Sequence, residues 1–105
     1  MFAAIYEFVV IDGREESFLQ AWEELTRLIY MHEGSMGSRM HKSSEGKYIA
    51  YAQWPERSTW ENAGDKLPEK AKEWRIQLRD SCEEINTLYE LESINDLLKV
   101  KPFNT

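Results

Sequence analysis

The sequence predicts a ferredoxin-like α+β domain: the order βαββαβ, with a four-stranded antiparallel sheet and its helices on one face. Three observations lead there. The apolar pattern alternates between a period of two and a period near 3.6, in the order strand, helix, strand, strand, helix, strand. Glycine, proline and short polar clusters fall between those segments. The chain has 105 residues, which suits one domain over residues 1–105 and leaves no length for a second.

The first strand runs from Phe2 to Ile11, rich in aromatic and β-branched residues, and Asp12-Gly13 ends it in a turn. Arg14 to His32 has helical spacing, with Phe18, Ala21, Trp22, Leu25, Ile29 and His32 on one stripe. Glu15 and Glu16 lie in its first turn, where the helix dipole favours negative charge. Gly34 suits the C′ position. Gly37 to Lys42 and Lys47 to Trp54 read as a hairpin around Ser43-Ser44-Glu45-Gly46, and Pro55 stops the second strand.

Ser58-Thr59-Trp60-Glu61 has the capping-box pattern and predicts a short helix to about Ala63. Gly64 interrupts. Pro68 suits the first turn of a further helix, whose apolar stripe is Ala71, Trp74, Leu78 and either Ser81 or Cys82. Ile85 to Glu92 is the last strand. The core thus covers about residues 2–92. Asn95 to Lys99 is either another helical turn or extended chain within a loose tail, 93–105, whose Phe103 suits docking on a partner.

The first strand departs from the alternation of a half-exposed sheet. Phe2, Ala4, Tyr6, Phe8 and Val10 lie on one face; Ala3, Ile5, Glu7, Val9 and Ile11 lie on the other, with Glu7 its one polar member. The third strand repeats this, with Tyr48, Ala50, Ala52 and Trp54 opposing Ile49, Tyr51 and Gln53. Helices cover one sheet face only, so an apolar second face asks for a cover. A second copy packed sheet to sheet as a two-fold homodimer supplies it. The alternative is partial cover by the C-terminal tail. In the homodimer, a buried Glu7 requires a cation or a hydrogen-bond donor.

Composition narrows the function classes. Net charge is −6 with no basic stripe, so no nucleic-acid partner is expected. Neither a Lys/Arg-rich amphipathic helix nor an apolar stretch of spanning length predicts a membrane partner. Met1 to Ile5 is apolar but lacks a basic lead, and Glu7 interrupts the run, so no signal peptide is read. One cysteine, Cys82, makes no internal disulfide, and a cytoplasmic location is the default. Four tryptophans and five tyrosines exceed the usual needs of a core. They read either as core plus interface or as the lining of a pocket for a planar ligand.

Several stretches resemble the antibiotic biosynthesis monooxygenase-type (ABM) domain family of the dimeric α+β barrel superfamily. They are Tyr6-Glu7-Phe8-Val9-Val10 with Gly13 and Glu16, then Phe18-Leu19-Gln20-Ala21-Trp22. Gly34-Ser35-Met36-Gly37-Ser38-Arg39-Met40-His41 and Tyr48-Ile49-Ala50-Tyr51-Ala52-Gln53-Trp54-Pro55-Glu56-Arg57, ending at Trp60, continue the match. The resemblance spans about residues 2–92 and is most specific in Gln-Trp-Pro followed by Trp60. It implies a dimeric α+β barrel with a pocket between sheet and helices in each subunit. Some members oxygenate electron-rich aromatic rings without metal or flavin; others degrade haem, or handle quinones or signalling molecules.

The activity so implied is cofactor-independent oxygenation of a small phenol- or quinone-like substrate. Such a substrate gives an electron to O2 once it is an anion, and the protein supplies a shaped apolar pocket with polar groups for the phenolate. The residues proposed to line it are Tyr6, Arg39, His41, Tyr51, Trp54, Trp60 and Trp74. In the catalytic roles, Arg39 pairs with the phenolate and His41 takes a proton, with the aromatic residues binding substrate. Against these stand plainer roles: Arg39 paired with Glu7 or Glu90, and His41 on the surface near a hairpin. The alternative function is a non-enzymatic small-molecule-binding or stress-response protein on the same scaffold. Haem degradation is disfavoured, because the segment Pro68–Cys82 has no histidine and the first strand no asparagine. No cofactor is implied: His32, His41 and Cys82 form no metal-ligand spacing, and no GxGxxG is present.

Overall fold

The computed structural model describes residues 1–103; Asn104 and Thr105 of the expected tail lie outside the described residues. The elements are β1 (Phe2–Val10), α1 (Glu15–His32), β2 (Ser38–Lys42), β3 (Tyr48–Trp54), α2 (Arg57–Glu61), α3 (Ala71–Asp80) and β4 (Cys82–Glu92). The sheet order is β2-β3-β1-β4, antiparallel throughout. This is the ferredoxin-like order read from the sequence, with the second helix broken into α2 and α3.

The even-numbered side chains of β1 face the helices. Phe2, Ala4 and Phe8 are buried, as are Tyr48, Ala50, Ala52 and Trp54 of β3. Cross-strand pairing explains this agreement, since Phe2 opposes Trp54, Tyr6 opposes Ala50 and Phe8 opposes Tyr48. On α1, Phe18, Ala21, Leu25 and Leu28 are buried, Phe18 against Phe8, Tyr48 and Ala50, and Leu25 and Leu28 against Ala71 of α3. Leu28, not His32, completes the stripe; His32 is exposed at the last residue of the helix. Gly34 follows with φ +79°, and a Cβ there would meet Thr59 Cγ2 at 3.3 Å. Glycine thus serves both the left-handed backbone and the close approach of α2.

Three local expectations are corrected. The capping box does not form: α2 starts at Arg57 after an extended Glu56, so Ser58 sits inside the helix, where its hydroxyl is not the cap. Pro68 does not open the third helix. It accepts the Ala71 N–H in a turn ahead of α3, at 3.0 Å. The last strand starts at Cys82, three residues early, because Ser81 closes α3. That serine is fully buried; its hydroxyl donates to Gln77 O at 2.7 Å and lies 3.2 Å from Ser17 Oγ, whose proton it can accept.

The second sheet face carries no helix. Ile5, Val9, Ile49 and Tyr51 are half-buried there, and Tyr89, the partner of Ile5 on β4, is exposed. Glu7 lies among them. Its carboxylate accepts from Asn86 Nδ2 at 3.2 Å and stands 3.5 Å from Lys47 Nζ, so the one charge on this side of β1 is paired. After β4, Ser93 N–H donates to Met1 O and extends the β1–β4 ladder by a step. Residues 94–103 then run without helix or strand.

Candidate functional site

Small residues create the site. Ala50 and Ala52 turn toward the helices from β3, and Ala4 does so from β1. Methyl groups cannot fill the roughly 10 Å between packed layers. The residual space is a cavity of about 240 Å³, walled by Tyr6, Phe8, Trp22, Leu25, Ile29, Trp54 and Leu78 among others. Among the described residues, its only polar side chains besides Tyr6, Trp22 and Trp54 are Thr26, Ser35 and Ser38. It shares Tyr6, Ile29 and Trp54 with an outer cleft of about 530 Å³, bordered by Glu33, Trp60, Glu61, Gly64, Leu67 and Arg75. An apolar chamber thus lies beside a charged mouth, with Tyr6, Ile29 and Trp54 as the aromatic and aliphatic threshold common to both.

Two hydrogen-bonding groups stand at that threshold. Trp60 Nε1 donates to Tyr6 Oη at 2.7 Å. Burial pushes the Tyr6 hydroxyl above its ordinary value; the Trp60 hydrogen bond pulls it back in part, and the charge of Glu90 adds to the rise. Tyr6 therefore remains a neutral phenol at ordinary pH, with one lone pair occupied and its O–H proton available to donate. Trp54 Nε1 is buried and has no hydrogen-bond partner among the described residues. Leaving such a donor unsatisfied costs roughly 1–3 kcal/mol.

The mouth is held by Glu33, an acidic side chain that is buried. Its Oε2 accepts from the backbone N–H of Gly64 at 2.6 Å and of Lys66 at 3.0 Å. One carboxylate therefore ties the segment after α2 to the end of α1. Beside it, Trp60 stacks obliquely on Phe2 with centroids 5.1 Å apart. Arg57 closes the outside of Phe2, 4.8 Å above its ring, and pairs with Glu90 at 2.6 Å.

The seven residues read from the sequence do not form one pocket. Tyr6, Trp54 and Trp60 come together at the threshold. Trp74 packs near Leu25, Leu28 and Ala71 between α1 and α3, away from the cavity lining. Arg39, His41 and Tyr51 lie on the opposite, helix-free face, with Gln53 and Leu98, around a separate gap of about 410 Å³. The reason is strand parity. Arg39 opposes Tyr51 and His41 opposes Ile49, whereas Ala50, Ala52 and Trp54 face the helices. Arg39 does not pair with Glu7 or Glu90 either, since Lys47 and Arg57 hold those carboxylates. His41 is exposed, its Nδ1 3.3 Å from Ile49 O.

Sequence reasoning missed Trp22, Ile29 and Glu33. The signal for the first two was the alternation of alanines in β3, which marks where a cavity must open beneath α1. Glu33 gave none. Among the described residues, no three His, Cys, Asp or Glu side chains are grouped to hold a metal.

No protein-family model matches the sequence, and no curated protein matches it. Solved structures do. SnoaB, a cofactor-independent oxygenase from Streptomyces nogalater, superposes with a TM-score of 0.71 over 93% of this chain and 97% of that one, at 13% identity. The fold is that of the antibiotic biosynthesis monooxygenases. A Bordetella bronchiseptica protein assigned to antibiotic biosynthesis monooxygenases matches with a TM-score of 0.70, over 90% of this chain and 97% of that one, at 18% identity. Rv0793 from Mycobacterium tuberculosis gives 0.72 over 92% and 98%, at 10% identity. At these identities the likeness to antibiotic biosynthesis monooxygenases is one of architecture, and activity has to be argued from the cavity.

Proposed function

We propose that this chain is a cofactor-independent oxygenase acting on a small electron-rich aromatic molecule, a hydroquinone or an anthrone, in the cavity between sheet and helices. The observation that carries the reading is the buried, unpartnered N–H of Trp54, a residue common to the walls of the chamber and the mouth. A planar ligand with an oxygen at the threshold supplies the missing acceptor. With the Tyr6 O–H, it meets two donors in an apolar setting. Both strengthen as negative charge develops on that oxygen, which lowers the cost of ionising the phenol. The ionised ring is the form that gives an electron to O2. In this reading the roles that the sequence offered to Arg39 and His41 pass to Tyr6 and Trp54.

Among the described residues, no carboxylate, histidine or lysine lines the inner chamber. The site therefore stabilises a phenolate more readily than it removes the proton, and the substrate must be acidic enough to ionise with water as acceptor. The same fact favours the second reading, a binding protein that holds an aromatic ligand without turning it over. Oxygen uptake with a panel of anthrones and hydroquinones separates the two. Oxygenation predicts consumption faster than in buffer; thermal stabilisation by the same compounds with no added consumption favours the binding protein.

The functional unit in this proposal is a homodimer, joined through the helix-free sheet face. Its support is the semi-apolar lining of that face and the pairing of Glu7 with Lys47 and Asn86, which lets the face be covered without stranding a charge.

A further inference from the structure

We propose that Arg75 binds a carboxylate on the substrate in the outer cleft, so that the substrate class is an electron-rich aromatic with an acidic side chain; the inference rests on the oxygenase reading above. The cleft of about 530 Å³ and the chamber of about 240 Å³ have Tyr6, Ile29 and Trp54 in common. The chamber by itself is smaller than the roughly 300 Å³ at which ligand sites begin, whereas the cleft is larger. A ligand whose oxygen meets Tyr6 and the unpartnered N–H of Trp54 therefore has the cleft for its remaining atoms. The side chains of the cleft decide what those atoms are.

Among the described residues, Arg75 is the one cation lining the cleft. It reaches there from α3 and makes no hydrogen bond or ion pair among the described residues, whereas Arg27, Lys47, Arg57 and Lys72 are all paired with carboxylates. Acceptors are not scarce, since the chain has 19 acidic side chains against 13 lysines and arginines. Backbone sets the place of the guanidinium. Its Nη2 stands 3.6 Å from the position that a Cβ on Gly64 would take, and the Gly64 N–H is tied to Glu33 at 2.6 Å. Gly64 has φ +122°, which L side chains rarely adopt, so the spot beside Arg75 stays bare.

Neither carboxylate of the cleft takes up this charge. Glu33 accepts from the backbone N–H groups of Gly64 and Lys66, and Glu61 acts on Arg57. Ile29, Ala63 and Leu67 make much of the remaining wall apolar, which suits a hydrocarbon link between ring and anion. A guanidinium offers a carboxylate two parallel N–H groups, a stronger and more directional contact than a neutral pair. A net charge of −6 works against anions at large, so a preference for an acidic ligand depends on this one contact.

Calorimetric titration under nitrogen, which prevents turnover, tests this with a hydroquinone bearing a propanoate side chain and with its neutral propanamide. The ratio of the two Kd values is compared among the parent chain, Arg75→Gln and Arg75→Lys. A ratio taken within one chain cancels any general loss of binding, and circular dichroism checks that all three fold. The parent is expected to bind the acid about tenfold more tightly than the amide, the scale of one charge-assisted contact. Arg75→Gln should bring the ratio to within about twofold of unity, and Arg75→Lys should keep part of the preference. A ratio near unity in the parent, or a preference that survives Arg75→Gln, overturns the assignment.

Oxygen uptake with the amide reads the oxygenase proposal separately. Uptake above that in buffer, with no preference for the acid, leaves the oxygenase standing and removes Arg75 from it. A preference abolished in Arg75→Gln, with no uptake from either compound, keeps the anion site and makes the chain a binding protein. Failure to bind either compound overturns both.

Discussion

Trp60 Nε1 donates to Tyr6 Oη at 2.7 Å, joining α2 to the middle of the sheet across 54 positions of sequence. This bond fixes Tyr6, which borders both chamber and mouth. It also leaves the Tyr6 proton free for a ligand. Tyr6→Phe and Trp60→Phe each break it, and its net contribution should be about 0.5–1.5 kcal/mol. In a double-mutant cycle read by urea denaturation, the double variant should lose less than the two single variants summed, by about that coupling. Strict additivity would mean that the two side chains do not meet in solution.

Alkaline pH should weaken the fold in a defined window. Burial pushes the Cys82 thiol from 9.0 up to about 11, and also raises the Tyr6 hydroxyl above 10.0. Both are neutral acids whose protons the folded chain holds more tightly than the unfolded chain does. Their stabilising effect is full below pH 9.0, where both states keep the protons, and falls as pH rises through 9.0 to about 11 for Cys82. Tyr6 adds a second decline above pH 10.0. Denaturation midpoints should therefore be flat across pH 7–9 on this count and slope down beyond it. Cys82→Ala should remove the first part of the slope and Tyr6→Phe the second. The same shift predicts slow alkylation of Cys82 by iodoacetamide at pH 8, since little thiolate is present.

Filling the chamber should abolish binding without unfolding the chain. Ala52 is buried on the helix side of β3 and borders the cavity of about 240 Å³. In Ala52→Leu the added carbons enter empty space, so the cost should stay below the ~1–3 kcal/mol of an overpacked core. Titration with a hydroquinone, followed by the rise in melting temperature, should show stabilisation in the parent and none in the variant. Equal stabilisation in both would place the ligand elsewhere.

Much of this was legible in the sequence, for a physical reason. Periods of two and 3.6 are imposed by backbone geometry, so Phe2, Ala4, Phe8 and Phe18, Ala21, Leu25 announced their elements and their buried faces. Parity also held information that the grouping of candidate residues did not use: Tyr51 and Trp54 are three apart on one strand and must face opposite ways. Other features had no local signature. In β4, register shifts between Ile5/Tyr6 and Val9/Val10 leave Leu88 and Glu83 without a partner on β1, which pattern alone does not reveal. Glu33 reads as one more helix-end glutamate; its burial comes from two backbone N–H groups about thirty residues downstream. The capping box at Ser58 shows the reverse case, a local motif overridden because the chain leaving Trp54 enters the helix two residues sooner, with Glu56 at the cap.

Oxygen uptake with one anthrone, compared among the parent chain, Trp54→Phe and Arg39→Ala, tests the location of the site most directly. Trp54→Phe keeps an aromatic wall and removes the unpartnered donor, so uptake should fall by roughly 10²–10³, the usual cost of one donor to a developing oxyanion. Arg39→Ala changes an exposed residue on the opposite sheet face and should leave uptake within about twofold of the parent, the scale of a surface change. Uptake lost with Arg39→Ala and kept with Trp54→Phe would contradict this account and move the chemistry to the helix-free face.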